Sequence, residues 1–418
     1  MPFDPGVRCL LLISVLLAQV ARADADYWDL PPIRYSDTPA TDEVAHLAAA
    51  MAKGEKKVEG KTGLERLRFV LRELKVPEES QVLVFSKTSL QTGLIEPKNP
   101  RALFYSENTY VAWVPGGTME AIVQDPVLGE VFYVIGPGEP DTLKFERDTN
   151  LCMSCHSTTR TEGIPGVQVR SVFPNADGHP LLAKGTSHVN HDTPLSERWG
   201  GYYVTGRSSL PHLGNRTYTE GSDAGDQPKP SDLTDLHAQI DVSKYPRATS
   251  DIVALMVLEH QCRMHNLLNA AAMQYRRAKF ISQAIDPSAD PDQGSAGRVA
   301  DGAAAKIVEC IFFKDEAEPG EDLVGGDEFQ KSFTARFPKT KEGDSLAEFH
   351  LYSRIFKNRC SYMIYSQAFK VLPPRVKDSV FKQMKAVLAG EDSSFEYLKE
   401  SERKRISAIL KETVEGWE

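Results

Sequence analysis

The chain has 418 residues, enough for two or three domains and for a substantial buried core. Its 41% apolar and 26% charged residues are those of an ordinary globular protein, and 29 Gly with 26 Pro exclude both wholesale disorder and a collagen-like repeat. A net charge of −9 argues against a nucleic-acid binder, and six Cys are too few for a disulfide scaffold.

The first element is the apolar run 9–18, preceded by Arg8 and closed by Ala21-Arg22-Ala23. It falls well short of the ~20 residues that a spanning helix needs. The pattern is that of a signal peptide, residues 1–23, cut after Ala23 to leave a periplasmic or secreted chain with no stable membrane span.

Residues 24–145 begin with an extended, Pro- and Asp-rich segment. Val44, Leu47, Ala48 and Met51 predict a helix over 41–53, and Thr62 caps a second one bearing Leu67, Phe69, Val70, Leu71 and Leu74. The short β-branched and aromatic runs 81–86, 102–105, 109–114 and 131–135, separated by turn residues, predict an antiparallel meander. Residues 146–246 have little periodicity and much Gly, Pro, His and Arg, with a polar loop at 220–229. In the third stretch, 247–418, Ser250-Asp251 caps a long apolar-periodic helix to about Ile285. A Pro/Gly/Asp break at 286–302 follows, then helices over 303–314, 345–358, 360–371, 375–389 and 400–414. The expected fold class is α+β: a small antiparallel meander, a loop-rich centre and a helical C-terminal half.

The chemistry sits in Cys152-Met153-Ser154-Cys155-His156, a C-x-x-C-H sequence, the attachment pattern of c-type haem. Two thiols three positions apart can form thioethers to both vinyl groups of one porphyrin, and the adjacent His156 then becomes the proximal iron ligand. Three other uses of a C-x-x-C fit less well. A thioredoxin-like redox pair wants a βαβ context, half a zinc site wants a second ligand pair, and a disulfide is sterically awkward at this spacing.

On the distal side, Met256, His260 and Met264 recur at i, i+4 and i+8, on one face of the long helix. His260 is therefore the first distal candidate, then His188 or His191, then Met264. His179 and His212 lie in the same loop-rich centre. The opposing reading of His260 is a hydrogen-bonded core residue. Arg160, Arg170, Arg198, Arg207 and Arg216 offer partners for haem propionates, and Trp199, Tyr202 and Tyr203 offer aromatic packing on the porphyrin or in the core. Of the remaining cysteines, Cys310 and Cys360 are the preferred disulfide pair, with Cys262 left free. Asn215-Arg216-Thr217 is a glycosylation sequon by pattern only.

The segments 81–91, 99–105, the C-x-x-C-H, 196–206 and 258–261 together resemble a family of exported bacterial proteins described only as containing a cytochrome c domain. The resemblance covers residues from about 60 to 270. It implies one covalent haem on Cys152 and Cys155, iron ligation by His156, and membership of the electron-transfer class. The motif follows a β meander instead of opening a short chain, so the fold of a minimal class I cytochrome c is not expected. Two functions follow. One is single-electron transfer between periplasmic redox partner proteins. The other is a haem enzyme, peroxidase-like or a small-molecule oxidoreductase, with an open or displaceable sixth iron position; a gas-sensing module is a third, non-redox use.

Overall fold

After a 3-10 turn at Tyr27–Asp29, two α-helices come first in the computed structural model, which describes residues 26–139, 141–221, 226–288, 290 and 292–417. The leader expected at 1–23 and part of the polar loop lie outside the described residues. Helix α1, Glu43–Ala52, is capped by Asp42, whose carboxylate accepts from the Val44 and Ala45 N–H groups. Helix α2, Gly63–Glu73, starts at Thr62 with a full capping box closed by Glu65.

Strands β1 (Val82–Val84), β2 (Arg101–Tyr105), β3 (Thr109–Trp113), β4 (Met119–Asp125), β5 (Gly129–Pro137) and β6 (Leu143–Asp148) form the meander. Strands β4 and β6 were not foreseen. Both mix polar residues (Glu120, Gln124; Lys144, Glu146) with apolar ones, and this half-polar pattern lacks the aromatic run of their neighbours. A single helical turn, α3 (Met153–His156), leads to the two-stranded ribbon β7 (Val169–Val172) and β8 (Thr186–Val189). Strand β9, Tyr202–Tyr203, then pairs antiparallel with β1 and completes a seven-stranded sheet of order β6-β5-β4-β3-β2-β1-β9. Strands β10 (Gly206–His212) and β11 (Lys229–Leu233) make a second ribbon.

Helix α4, Ile252–Ile285, is the spine of the molecule. From Ile252 to Met273 almost every residue is buried, because the sheet packs on one side and later helices on the others. Such a helix should be apolar all round. Its polar members each have a partner. The Gln261 amide donates to the Ser106 carbonyl at 2.8 Å and accepts from Tyr362 Oη at 3.0 Å, while Asn269 exchanges two hydrogen bonds with Gln124. His265 Nδ1 meets Tyr110 Oη at 2.7 Å and Glu130 at 3.0 Å.

Helices α5 (Gly294–Ile311), α6 (Asp327–Ala335), α7 (Gln367–Lys370), α8 (Pro374–Ala389) and α9 (Glu400–Thr413) complete the fold. Helix α5 starts inside the break expected at 286–302, where small Ala and Gly residues let it lie close against α4. The helices expected at 345–358 and 360–371 are corrected. The first is a loop closed by the Phe349–Phe356 bridge, and the second is a 3-10 turn, Tyr362–Tyr365, followed by α7. Their apolar residues fill an aromatic cluster of Phe329, Phe333, Phe337, Phe349, Phe356 and Tyr362, so apolar spacing there records burial, not helical periodicity. Helix α6 supplies two of those rings, Phe329 and Phe333, and was not foreseen. The mixed α+β class holds, with the three sequence stretches 24–145, 146–246 and 247–418 sharing cores through β9 and α4. Among the described residues no helix is long and apolar enough to cross a membrane.

Candidate functional site

Strand β6 ends at Asp148, whose carboxylate accepts from the Asn150 and Cys152 N–H groups at 3.0 and 2.9 Å and so bends the chain into α3. The His156 N–H donates to the Cys152 carbonyl at 2.9 Å, closing one helical turn. One turn sets residues i, i+3 and i+4 side by side, which gathers Cys152, Cys155 and His156 on one side. Both thiols are free, Cys152 half-buried and Cys155 exposed. Burial, then the neighbouring Asp148 charge, pushes the Cys152 thiol up to about 12.

The His156 ring is oriented by three neighbours. Its Nδ1 lies 2.8 Å from the Gly166 carbonyl oxygen. A carbonyl only accepts, so Nδ1 carries the proton and Nε2 is left as the basic nitrogen, the usual arrangement of a metal-ligating histidine. Burial holds its pKa below the ordinary histidine value. The ring packs on Phe132 at 5.0 Å, and the next residue, Ser157, accepts from Trp28 Nε1 at 2.9 Å. The return loop is clamped by α4: the Asn266 side-chain oxygen accepts from the Val167 N–H at 2.9 Å, and its amide nitrogen donates to the Val167 carbonyl at 2.7 Å. Gly166 is required beside this clamp, because a Cβ there would stand 2.4 Å from the Asn266 oxygen.

Beneath the turn lies one face of the sheet. Glu120 pairs with Arg101 at 2.8 Å, and both act electrostatically on His156. The cross-strand register puts Leu103, Ala112, Glu120 and Val134 in one row, and Tyr105, Tyr110, Ile122 and Phe132 in the next. Directly opposed residues share a face. Leu103, Ile122 and Val134 are only half-buried, so this face offers an apolar floor that the rest of the chain covers incompletely. Leu151, next to Cys152, is 63% exposed.

The β7–β8 ribbon stands beside the turn. The Gln168 amide donates to the Cys155 carbonyl at 2.8 Å. With a period of two, Gln168 and Arg170 share a face, and Arg170 lies opposite His188. His188 Nε2 and Arg170 Nε are buried without a hydrogen-bond partner. Burial, then the charges of Arg160 and Arg170, lowers the His188 pKa to about 4. Orphaned buried polar atoms are rare in native folds, and these two belong to residues that lie opposite each other on the ribbon. Two thiols, a bare imidazole nitrogen, an apolar floor and unpartnered cationic and imidazole groups fit a covalently held haem with its iron and propionates.

The other distal candidates are placed elsewhere. Both ring nitrogens of His260 are engaged, Nε2 with Ser361 Oγ at 2.6 Å and Nδ1 with His191 Nδ1 at 3.2 Å, and Phe313 stacks on the ring at 4.1 Å. Met264 is buried in the same core as Met256. Among the described residues no hydrogen bond or ring contact joins His191, His260 or Met264 to His156. The helical face that carries Met256, His260 and Met264 is buried.

Arg198 is not free for a propionate. It donates to Glu259 at 2.6 Å and to the Thr193 carbonyl at 2.7 Å, and Trp199 Nε1 donates to the other Glu259 oxygen at 2.6 Å. All three residues are inaccessible. Burial pushes the Glu259 carboxyl up to about 7, against the pull of Arg198 and Trp199. Glu259, Asn266 and Glu120 escaped sequence reasoning; a carboxylate and an amide inside an apolar helix were the available signal, since buried polar groups must be paired. Tyr202 and Tyr203 serve as strand β9. Arg207 lines a cleft of about 470 Å³ with Glu79, Arg247, Asp251 and Glu328, and His212 and Arg216 line another of about 390 Å³. Cys310 and Cys360 are not bridged; both, like Cys262, are buried free thiols. Comparison with protein-family models, curated proteins and solved structures returns no match for this chain.

Proposed function

We propose that this chain is an exported haem c protein that carries one covalent haem and passes single electrons between periplasmic partner proteins. The observation that carries the reading is the C-x-x-C-H turn with both thiols free and His156 Nδ1 committed to the Gly166 carbonyl, leaving Nε2 to ligate iron. Each of Cys152 and Cys155 would hold the group by adding S–H across one vinyl C=C, with no leaving group. When bound, the group supplies a one-electron Fe(III)/Fe(II) couple. His188 replaces His260 as the first candidate for the sixth ligand, because its Nε2 is buried and unpartnered while both His260 nitrogens are occupied. Arg170 and Arg160 stand by for the propionates.

The test is the optical spectrum of the full chain co-expressed with c-type maturation machinery, oxidised, reduced and reduced under CO. One haem that survives denaturation is expected, lost when Cys152→Ala is combined with Cys155→Ala. A folded chain with no covalent haem overturns the reading. A reduced spectrum unmoved by CO goes with a held sixth ligand and electron transfer, and His188→Ala should then alter the ferric spectrum. A prompt CO shift instead favours the haem-enzyme alternative.

A further inference from the structure

A second constellation lies in the core, made by residues far apart in the chain. His191 comes from the loop after β8, His260 from the third turn of α4, and Cys310 from the last turn of α5. One ligand atom from each lies within 4.8 Å of the others, and all three residues are buried. The two imidazoles do not stack. They meet at 63° with Nδ1 facing Nδ1 at 3.2 Å. Two nitrogens at ~2.05 Å from one metal ion, at a tetrahedral or trigonal angle, would stand roughly 3.3–3.6 Å apart. The observed separation is close to that edge.

The surroundings are those of ligands held for a metal. His260 is fixed from behind by Ser361 Oγ on Nε2, and the His191 ring interacts with the Lys314 backbone. Such outer partners set the tautomer of a ligating histidine and aim its free nitrogen. Phe313 stacks on His260 and meets His191 edge-on at 5.4 Å, so the cluster is closed to water by aromatic rings. Burying two imidazoles and a thiol in such packing costs stability unless a partner satisfies them.

We propose that His191, His260 and Cys310 form a binding site for a single copper(I) ion. The donor set is two imidazoles and a soft sulfur, the set associated with trigonal copper centres. Charge separates copper(I) from zinc(II). Two neutral imidazoles and one thiolate on Cu(I) sum to zero, whereas the same ligands on Zn(II) leave a net positive charge in a dry core, which is costly. The facing charged groups are already compensated: Arg198, beside His191, is paired with Glu259, and Arg263, which acts on His191 and Cys310, is paired with Glu162. Three donors also suffice for Cu(I), while closed zinc sites take four. Burial lowers the His191 pKa to about 3 and takes His260 well below its ordinary value, so both rings are neutral bases, and Cys310 is held as a thiol at about 12 until a metal displaces its proton.

The experiment uses the full chain carrying Cys152→Ser and Cys155→Ser, which removes the other thiol pair and makes the result independent of haem. The chain is expressed in copper-supplemented cells and handled anaerobically, and bound metal is measured after challenge with bathocuproine disulfonate, with folding checked by circular dichroism. One copper per chain resisting the chelator is expected, with X-ray absorption giving two nitrogen neighbours and one sulfur. Cys310→Ser should abolish the sulfur shell and the resistance. Ser361→Ala, which touches no ligand atom used for the metal, should weaken copper retention by about 10–100-fold. A folded parent chain that yields its copper as readily as Cys310→Ser, or that retains zinc in preference to copper, overturns the proposal.

Discussion

Asn266→Leu tests how the fold builds the C-x-x-C-H turn. Leucine keeps the branched shape of the side chain and the helical character at this position of α4, is somewhat bulkier, and removes both hydrogen bonds to Val167. Asn266 and Val167 are each 3% exposed, so water cannot replace the lost partner. A buried N–H and a buried C=O left unsatisfied cost about 1–3 kcal/mol apiece, giving an expected loss of about 2–6 kcal/mol in urea unfolding of the apo chain. The effect should also reach the site, because Val167 follows Gly166, whose carbonyl sets the His156 tautomer. In the haem-loaded chain the ferric spectrum and its electron paramagnetic resonance should broaden as the His156 ring loses its fixed orientation. A loss below about 1 kcal/mol together with an unchanged ferric spectrum refutes the argument that α4 orders the turn through this clamp.

Arg198→Met strips the guanidinium from a fully buried carboxylate and should destabilise by about 3–5 kcal/mol in urea unfolding. Adding Glu259→Gln removes the stranded charge yet keeps an acceptor for Trp199 Nε1, so the double variant should be more stable than Arg198→Met alone; if it is less stable, the pair is not coupled as described. His212 gives a pH test. Burial, then Arg216, lowers its pKa to about 4, so the folded chain binds fewer protons there than the unfolded chain, whose histidine titrates near 6.5. That contribution is complete above pH 6.5 and is lost on acidification through 4, at about 1.4 kcal/mol per unit and roughly 3 kcal/mol in all. The stability difference between the native chain and His212→Gln, followed from pH 7 to 4, should shrink accordingly; a difference constant with pH would show that His212 titrates alike in the folded and unfolded chains, and would refute the effect of its burial.

Local chemistry carried much of what was legible. Thr62 with Glu65, and Asp251 before Ile252, are caps whose partners lie within three residues, so their helices start where the sequence places them. The C-x-x-C-H turn is equally local: one helical turn suffices to align Cys152, Cys155 and His156. The apolar face of α4 was legible as well, but not what stood against it. His260 shares a helical face with Met264 whether that face meets an iron or a core, and only the folded chain brings His191, Ser361 and Phe313 around it. In the same way, residues 345–365 are apolar at helical spacing, yet they fill an aromatic cluster built by α6 from a segment without that signal. The orphaned His188 Nε2, the Asn266 clamp and the Cys310 neighbourhood all join residues about a hundred positions apart or belong to such surroundings. Sequence alone determined that one turn gathers Cys152, Cys155 and His156, and where the helices with local caps begin. Tertiary structure decided what surrounds each histidine, because the partners that engage His260 and leave His188 Nε2 bare come from residues distant in the chain.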